Sequence, residues 1–222
     1  MAAKPQKTKT TEQTVFTRTA FDPADVNNTA TFTFNTDPSR PGITQITLPE
    51  KSTWTPGPHW HETHVEYFRV LQGRVLMKLG EKTRVVKPED GAVVVEKYLI
   101  HEFMRADKEM PDGQKDSGDV ITEEWTDPAD GIKHVFFRNI FSTLQDSEYW
   151  GRLTFAQALY VAASYDDFIV FVPGRASYVV THVVYNTIKL LGPLIGLKPW
   201  IEEYTPLDLR SVAKGEKLIK HD

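Results

Sequence analysis

Cysteine is absent from the 222-residue chain, and this absence limits its chemistry at once. Without thiols the sequence cannot form disulfides, a cysteine nucleophile, an iron–sulfur cluster or a cysteine-ligated zinc site. Any metal must therefore be held by His, Asp or Glu. A reducing, cytoplasmic location is the natural fit for such a composition.

A strong excess of either charge is also lacking. The 26 Lys and Arg nearly balance the 30 Asp and Glu, which gives a formal net charge of −4. A mildly acidic chain has no global electrostatic reason to bind nucleic acid. Hydrophobic residues make up 40% of the chain and charged residues 25%, which is the composition of a folded globular domain.

The beginning of the chain lacks a hydrophobic run. Met1 to about Thr14 is rich in Lys, Thr and Gln, so we expect no secretory signal there. The change of pattern along the rest of the chain predicts three parts. They are a flexible tail over residues 1–29, a β-barrel over residues 30–146 and a helical extension over residues 147–222.

Short β-rich runs separated by turn residues fill the chain from Ala30 to Phe141. Dipeptides such as Gln72-Gly73 are typical of the turns between them. Strands at this spacing predict an antiparallel sandwich or barrel. The predicted strands are Thr31–Phe34, Thr44–Leu48, Val65–Leu71, Arg74–Leu79, Thr83–Val86, Ala92–Val95, His101–Ala106, Val120–Trp125 and His134–Ile140.

Helical patterns replace the strands after about Asp146. Residues 151–165 carry apolar side chains without strict alternation, which favours a helix. Residues 207–219 are a last, charged helical candidate. The region beyond the barrel is therefore predicted to be helical.

Residues 177–191 give the clearest helical pattern, with a wide apolar face opposite one polar stripe. We expect the apolar face to be buried on the barrel or at a two-fold dimer interface. The polar stripe and the break at Gly192-Pro193 argue against a membrane span. The stripe consists of His182, Asn186 and Lys189.

Four residues form a candidate metal site. His59 and His61 are two positions apart, so in a strand their imidazoles lie on the same face. With Glu66 and His101 they offer three nitrogens and one carboxylate, a set that suits a divalent first-row metal. Inside an antiparallel barrel such ligands can leave coordination positions open, as a reactive metal requires. His64 is an alternative ligand.

The spacing of these residues resembles that of the cupin superfamily. The run from His59 to Gly73 is similar to the first cupin motif, with two His, a Glu and a closing Gly at the motif's spacing. Gly91, the strand after it and His101 are similar to the second motif. The resemblance covers roughly residues 40–140 and implies a mainly β fold, a double-stranded β-helix or jelly-roll barrel. The metal ligands that it implies are His59, His61, Glu66 and His101.

Three positions depart from the family pattern. Thr53 stands where the first motif usually begins with Gly, and the four residues before His101 lack the usual Pro and Gly. Arg105 stands where an Asn often follows the second-motif His.

Arg105 is the candidate catalytic residue. Strand alternation puts it on the same inward face as His101. A buried Arg needs an anion, which is either a carboxylate of the protein or a carboxylate, enolate or phenolate of a substrate.

The resemblance implies an enzyme that uses one divalent metal, with Fe(II) favoured and Mn, Ni or Zn as alternatives. Small cupins of secondary-metabolite pathways are loosely similar, which favours an oxygenase acting on an aromatic or polyketide-like small molecule. A non-redox isomerase, cyclase or decarboxylase is the first alternative, and a non-catalytic binding or storage cupin is the second. We expect a homodimer without nucleic-acid partner or transmembrane span.

Overall fold

The computed structural model describes two units of different secondary structure. One unit spans residues 14–129 and is mainly β, and the other joins residues 5–13 to the helical residues from 130 on. The predicted class, mainly β with C-terminal helices, is confirmed. The described residues are 5–19, 27–35, 37, 39–40, 42–106 and 118–216.

Ten strands form the described part of the β unit. They are β1 (Val15–Thr19), β2 (Thr29–Phe34), β3 (Thr44–Leu48), β4 (His59–Trp60), β5 (Val65–Gln72), β6 (Val75–Leu79), β7 (Lys82–Val86), β8 (Ala92–Val95), β9 (His101–Arg105) and β10 (Val120–Asp127). They make two antiparallel sheets. The first has the strand order β1-β2-β3-β10-β5-β8, and the second unites β4, β9, β6 and β7 in that order.

A chain of aromatic rings joins the two sheets in the core. Phe32 on β2 contacts Trp54 at 5.4 Å between ring centroids, and Trp54 contacts Phe103 on β9 at 5.8 Å. Phe103 then meets Phe68 on β5 at 4.6 Å. Strand alternation turns these side chains inward, and burial of each Phe contributes about 1.5–3 kcal/mol.

The N-terminal segment differs from the expected flexible tail. Val15–Thr19 pairs with β2 as an edge strand. Before it, the backbone N–H and the hydroxyl of Thr8 both donate to the Asp146 carboxylate, at 2.7 and 2.6 Å. The backbone N–H of Thr10 donates to the carbonyl of Glu203 at 2.9 Å. Residues 5–19 therefore form hydrogen bonds with the rest of the chain, which their polar composition alone does not predict.

The predicted strand His134–Ile140 is wrong, because these residues lie within the helix α1 (Ile132–Gln145). The aromatic and β-branched run reads as a strand by composition, yet its fully buried residues fall at helical spacing. They are Val135, Asn139, Ser142 and Thr143. Since α1 packs on other helices, the boundary between the two units falls at residue 129 and not at residue 146.

The remaining helices follow the prediction closely except at the end of the chain. The predicted helix 207–219 is a 3₁₀ turn over Leu207–Leu209 followed by the short helix α5 (Arg210–Ala213), and residues 217–219 lie outside the described residues. Within the described residues, no helix is both long and apolar enough to cross a membrane. The other elements are α2 (Ser147–Trp150), α3 (Thr154–Ser164), β11 (Phe168–Ile169), α4 (Ala176–Leu191), α5 (Arg210–Ala213) and 3₁₀ turns at Pro88–Asp90, Gly151–Leu153 and Gly192–Ile195.

The outer face of β10 carries a charged cluster. Glu123 Oε2 accepts hydrogen bonds from Arg40 at 2.7 Å and from Arg69 at 2.6 Å. Burial alone would raise the pKa of Glu123, but the hydrogen bonds from Arg69 and Arg40 outweigh it and hold the pKa below its ordinary value. Arg69 also lies over the Trp125 ring, which stacks on Tyr67. This cluster ties β10 to β5 on the solvent side.

Gly73, in the turn between β5 and β6, has no room for a side chain. Its φ is +76°, and a Cβ at this position would lie 2.7 Å from Val120 Cγ2. We expect Gly73→Ala to lower the free energy of unfolding by roughly 2–3 kcal/mol, from backbone strain and from the clash. A fall of the thermal midpoint by about 4–10 °C, followed by circular dichroism, would record it.

The matched control is Gly196→Ala. Gly196 has a φ of +84° in the left-handed region, but nothing lies within 4 Å of the added Cβ. This variant should show the backbone strain alone and lose about half as much stability. Equal losses in the two variants would contradict the importance of the Val120 contact.

Candidate metal centre

Two neighbouring strands bring two of the three candidate imidazoles together. His59 on β4 pairs directly with His101 on β9, and their ring centroids are 4.2 Å apart. His61 follows β4 immediately, and its ring lies 5.2 Å from that of His59 and 5.4 Å from that of His101. The three rings therefore form a compact triangle.

Glu66 completes this group from the opposite sheet. It lies on β5 with 2% of its surface exposed. Its Oε2 is 2.9 Å from His61 Nε2, and its Oε1 is 3.8 Å from His101 Nε2. One carboxylate thus faces all three rings from across the barrel.

The donor atoms of these four buried residues all lie within 4.8 Å of one another. Nitrogen and oxygen ligands sit about 2.0–2.2 Å from a divalent ion, so two ligands of one ion are at most about 4.4 Å apart. Small side-chain rotations are enough to close the remaining difference. The structure therefore brings the four predicted ligands, His59, His61, Glu66 and His101, into one group.

Backbone carbonyls fix the orientation of two of the rings. His59 Nδ1 lies 2.9 Å from the carbonyl of Gly57, and His101 Nδ1 lies 3.0 Å from the carbonyl of Leu99. Because a carbonyl oxygen can only accept, each Nδ1 carries the proton and donates it. In the neutral ring the lone pair is then on Nε2, and a hydrogen bond at the other nitrogen is the usual support of a metal-bound His.

His101 shows most directly that the site suits a cation. Its Nε2 is buried and has no hydrogen-bond partner among the described residues. Burial lowers the pKa of His101 well below its usual range, and the neighbouring His59 lowers it further, while Glu66 acts in the opposite direction. A neutral imidazole with an unsatisfied, buried lone pair is the form that binds a metal ion. The residues therefore fit a divalent metal.

The alternative ligand His64 lies outside this group. It is buried, and its Nδ1 is 2.8 Å from the hydroxyl of Thr63. Its donor atoms are not among those that converge. The structure therefore favours the four-residue set.

The loop before His101 compensates for its departure from the family pattern. Tyr98 takes a φ of +64°, a left-handed conformation in which glycine is common. Its backbone N–H donates to the carbonyl of His61 at 2.7 Å. The loop is therefore tied to one candidate ligand and leads directly into another, His101.

Arg105 follows the metal group along the same strand. It lies four residues after His101 on β9, about 13 Å along the strand. Its guanidinium is buried, and Nη1 donates to the carbonyls of Leu48 at 2.9 Å and Pro49 at 3.1 Å. Backbone oxygens therefore meet part of its need for hydrogen-bond acceptors.

The sequence analysis missed the inward residues of β10. Thr126 pairs with Glu66, and Glu124 pairs with Phe68, the next inward residue of β5. Glu124 is 3% exposed and lies diagonally from Glu66, at about 7–8 Å between Cα atoms. Strand alternation within Val120–Asp127 would have found it, because Glu124 shares the face of the buried Val120.

Comparisons with known proteins agree with this position of the site. The cupin-domain family model matches residues 46–111, which contain all four candidate ligands. Oxidoreductase OpS7 of Beauveria bassiana is 25% identical over 174 residues, covering 68% of this chain and 56% of the relative. Epoxidase atD of Aspergillus terreus is 25% identical over 156 residues, covering 68% of this chain and 47% of the relative. The chain spans about half the length of the curated relatives it matches.

Solved structures show weaker likenesses. The capsular polysaccharide assembling protein CapF from Staphylococcus aureus is 18% identical with a TM-score of 0.33, covering 46% of this chain and 26% of that one. A cupin 2 domain-containing protein from Halorhodospira halophila is 10% identical with a TM-score of 0.32, covering 44% and 61%. Neither likeness bears on function.

We expect His59→Ala and His101→Ala to bind much less than one equivalent of divalent metal per chain. Each variant removes a ligand whose Nε2 faces the group, so the remaining donors hold the ion loosely. Elemental analysis of protein purified without chelator or His tag measures the metal content, and circular dichroism checks that the β-rich fold remains. His182→Ala, outside the group on α4, is the matched control. Full occupancy in both ligand variants would contradict the assignment.

Proposed function

The protein belongs to the cupin superfamily, and on this premise we propose that it is a metal-dependent oxygenase acting on a small organic molecule. The observation that carries the proposal is the buried group of three imidazoles and one carboxylate, with a hydrogen-bond-free Nε2 on His101. Such a group is costly to bury unless a cation completes it.

The donor set suggests which metal to test first. Three neutral imidazoles and one carboxylate are compatible with Fe(II), Mn, Ni and Zn, and we favour Fe(II). The bound metal would supply Lewis acidity or, if it is iron, a place to activate O2. The chain's own part is to hold the ligand atoms in a dry site, with Gly57 and Leu99 fixing two of the rings.

The names of relatives support redox chemistry over the non-redox alternative. Those relatives are called an oxidoreductase and an epoxidase, and the aligned region is about half of each. An isomerase, cyclase or decarboxylase using the same metal group is the alternative that the test below separates.

The surroundings of the metal group favour an apolar, aromatic or polyketide-like substrate. Phe68 and Phe103 are the next inward residues after Glu66 and His101, and their rings are 4.6 Å apart. Ligand sites are commonly lined by aromatic side chains with a few polar groups. Here Glu124 supplies a buried carboxylate on the same inner face as Phe68.

We also propose that the protein acts as a homodimer in the cytoplasm, without a nucleic-acid partner. The near balance of charge supports the proposal that nucleic acid is not a partner. The apolar surface of α4 supports the homodimer. The cytoplasmic location stays a prediction from the cysteine-free composition.

The proposed reaction predicts that turnover requires O2. We expect the Fe(II)-loaded protein to consume O2 with some member of a panel of small aromatic and polyketide-like compounds, as measured with an oxygen electrode and mass spectrometry. Under ¹⁸O2 the product should contain the label. The matched control is the His101→Ala variant, which should consume no O2 above background.

Product formed at an unchanged rate under nitrogen would refute the oxygenase and support the non-redox alternative. Nitric oxide provides a test that needs no substrate. It binds Fe(II) with an open position and gives a characteristic electron paramagnetic resonance signal. Absence of that signal in the Fe(II)-loaded protein would show that the metal has no open position for O2.

The catalytic role of Arg105 stays a prediction. If Arg105 holds an anionic group of the substrate, Arg105→Ala should keep its metal and its thermal midpoint. Turnover should then fall by about 30-fold, equivalent to about 2 kcal/mol, once a substrate is found. If the bonds to Leu48 and Pro49 are its main role, the thermal midpoint should fall instead. Comparing metal content, thermal melting and turnover separates the two.

A further inference from the structure

One face of α4 is apolar and exposed. Val179, Val183 and Leu190 expose 67%, 60% and 74% of their surface, which is far more than such side chains usually do. Ala176 and Asn186 are exposed on the same face. These five residues are called the α4 seam below.

Hydrogen bonds on the opposite side fix the rotation of α4. Thr181 donates to the carbonyl of Ile169 at 2.6 Å, and the Tyr185 hydroxyl donates to the carbonyl of Asp167 at 2.6 Å. Tyr185 also accepts from the backbone N–H of Ile169 at 3.0 Å. Turning the helix to bury the seam would break these bonds, because Thr181 and Tyr185 would move to the surface. The exposure of the seam is therefore built into the unit.

The spacing of the seam suits another helix. Ala176, Val179, Val183, Asn186 and Leu190 follow each other at steps of three, four, three and four, which is the a/d pattern of a coiled-coil contact. Four of the five side chains are apolar, and Asn186 is the single polar one.

The charge of α4 argues against a lipid surface as the partner. An interfacial membrane helix carries Lys and Arg on a polar face that stays in water. The 16 residues of α4 include a single charged residue, Lys189, and the hydroxyl-bearing stripe opposite the seam is buried. The pattern therefore fits a protein helix with the same spacing.

We propose that the α4 seam is the contact between two copies of this chain, with α4 against α4 about a two-fold axis. The inference rests on the homodimer proposed above and adds the surface that forms it. A two-fold contact uses the same patch on both copies, and the seam supplies a matching helix at equal concentration. Leu191, Leu194 and Ile195, which are 49%, 81% and 54% exposed, extend the apolar surface that such a contact would cover.

The test is the molar mass of the full, metal-loaded chain by gel filtration with light scattering at micromolar concentration. We expect twice the 25.3 kDa of one chain for the wild type, and one chain's mass for Val183→Glu. Val183 is exposed, so the substitution should leave the fold intact, which metal content and circular dichroism confirm. The matched control is Leu207→Glu, at an 80% exposed apolar residue outside the seam, which should stay dimeric.

A single cysteine gives a second measurement, because the chain has none of its own. Val183 lies in the middle of the seam, so parallel and antiparallel arrangements both bring it near its counterpart. Val183→Cys should form a covalent dimer under mild oxidation, and Leu207→Cys should not.

The outcomes separate this inference from the proposals on which it rests. A Val183→Glu variant that remains dimeric would place the interface elsewhere and overturn the inference, while the homodimer would stand. A monomeric wild type would overturn both. A monomeric wild type that sediments with phosphatidylcholine–phosphatidylglycerol vesicles, and loses this with Val183→Glu, would assign the seam to a lipid surface. None of these results touches the metal-dependent activity, which is measured separately.

Discussion

The structure depends on burying three imidazoles and one carboxylate, those of His59, His61, His101 and Glu66, at a single point inside the barrel. A buried polar atom without a partner costs free energy, so every such atom must be oriented towards a hydrogen-bond partner or a metal ion. The carbonyls of Gly57 and Leu99 accept hydrogen bonds from Nδ1 of His59 and His101. The Nε2 atoms of these two rings face Glu66. The cross-strand pairing of β4 with β9 and the approach of β5 from the other sheet follow from this requirement.

The same strand alternation builds the core and the site. Along β5 and β9, the inward positions carry first a ligand and then a phenylalanine, so Glu66 precedes Phe68 and His101 precedes Phe103. A slip of one residue in either strand would expose both the ligand and the ring. Packing of the aromatic layer therefore also holds the ligands in register. The positions of the ligand atoms are then as well fixed as those of the core side chains.

Local periodicity made the barrel and the pairing of His59 with His61 predictable, and the resemblance to the cupin motifs implied Glu66 and His101 as further ligands. Long-range contacts could not be predicted. The two-residue spacing of His59 and His61 is a local signal, and the structure brings both into the group. The acceptors of Arg105 lie more than 50 residues away in sequence, where no pattern points to them. Likewise, hydrogen bonds between Tyr185 and residues 167–169 determine which side of α4 is buried, and hydrophobicity alone suggests the opposite side. Composition gave a wrong prediction for α1, because its run of aromatic residues is as typical of a strand as of a helix.

The cluster around Glu123 makes the stability of the sheet that contains β10 and β5 depend on pH in the acid range. The pKa of this carboxyl is held below its ordinary value of 4.5, so the folded state gains stability from it above that pH. The gain is lost as the pH falls through the lower folded-state pKa. Protonation would then leave the guanidinium groups of Arg40 and Arg69 facing each other, with no anion between them. Acid would thus loosen the join between β10 and β5 from the solvent side, by repulsion between two cations that a single carboxylate otherwise holds together.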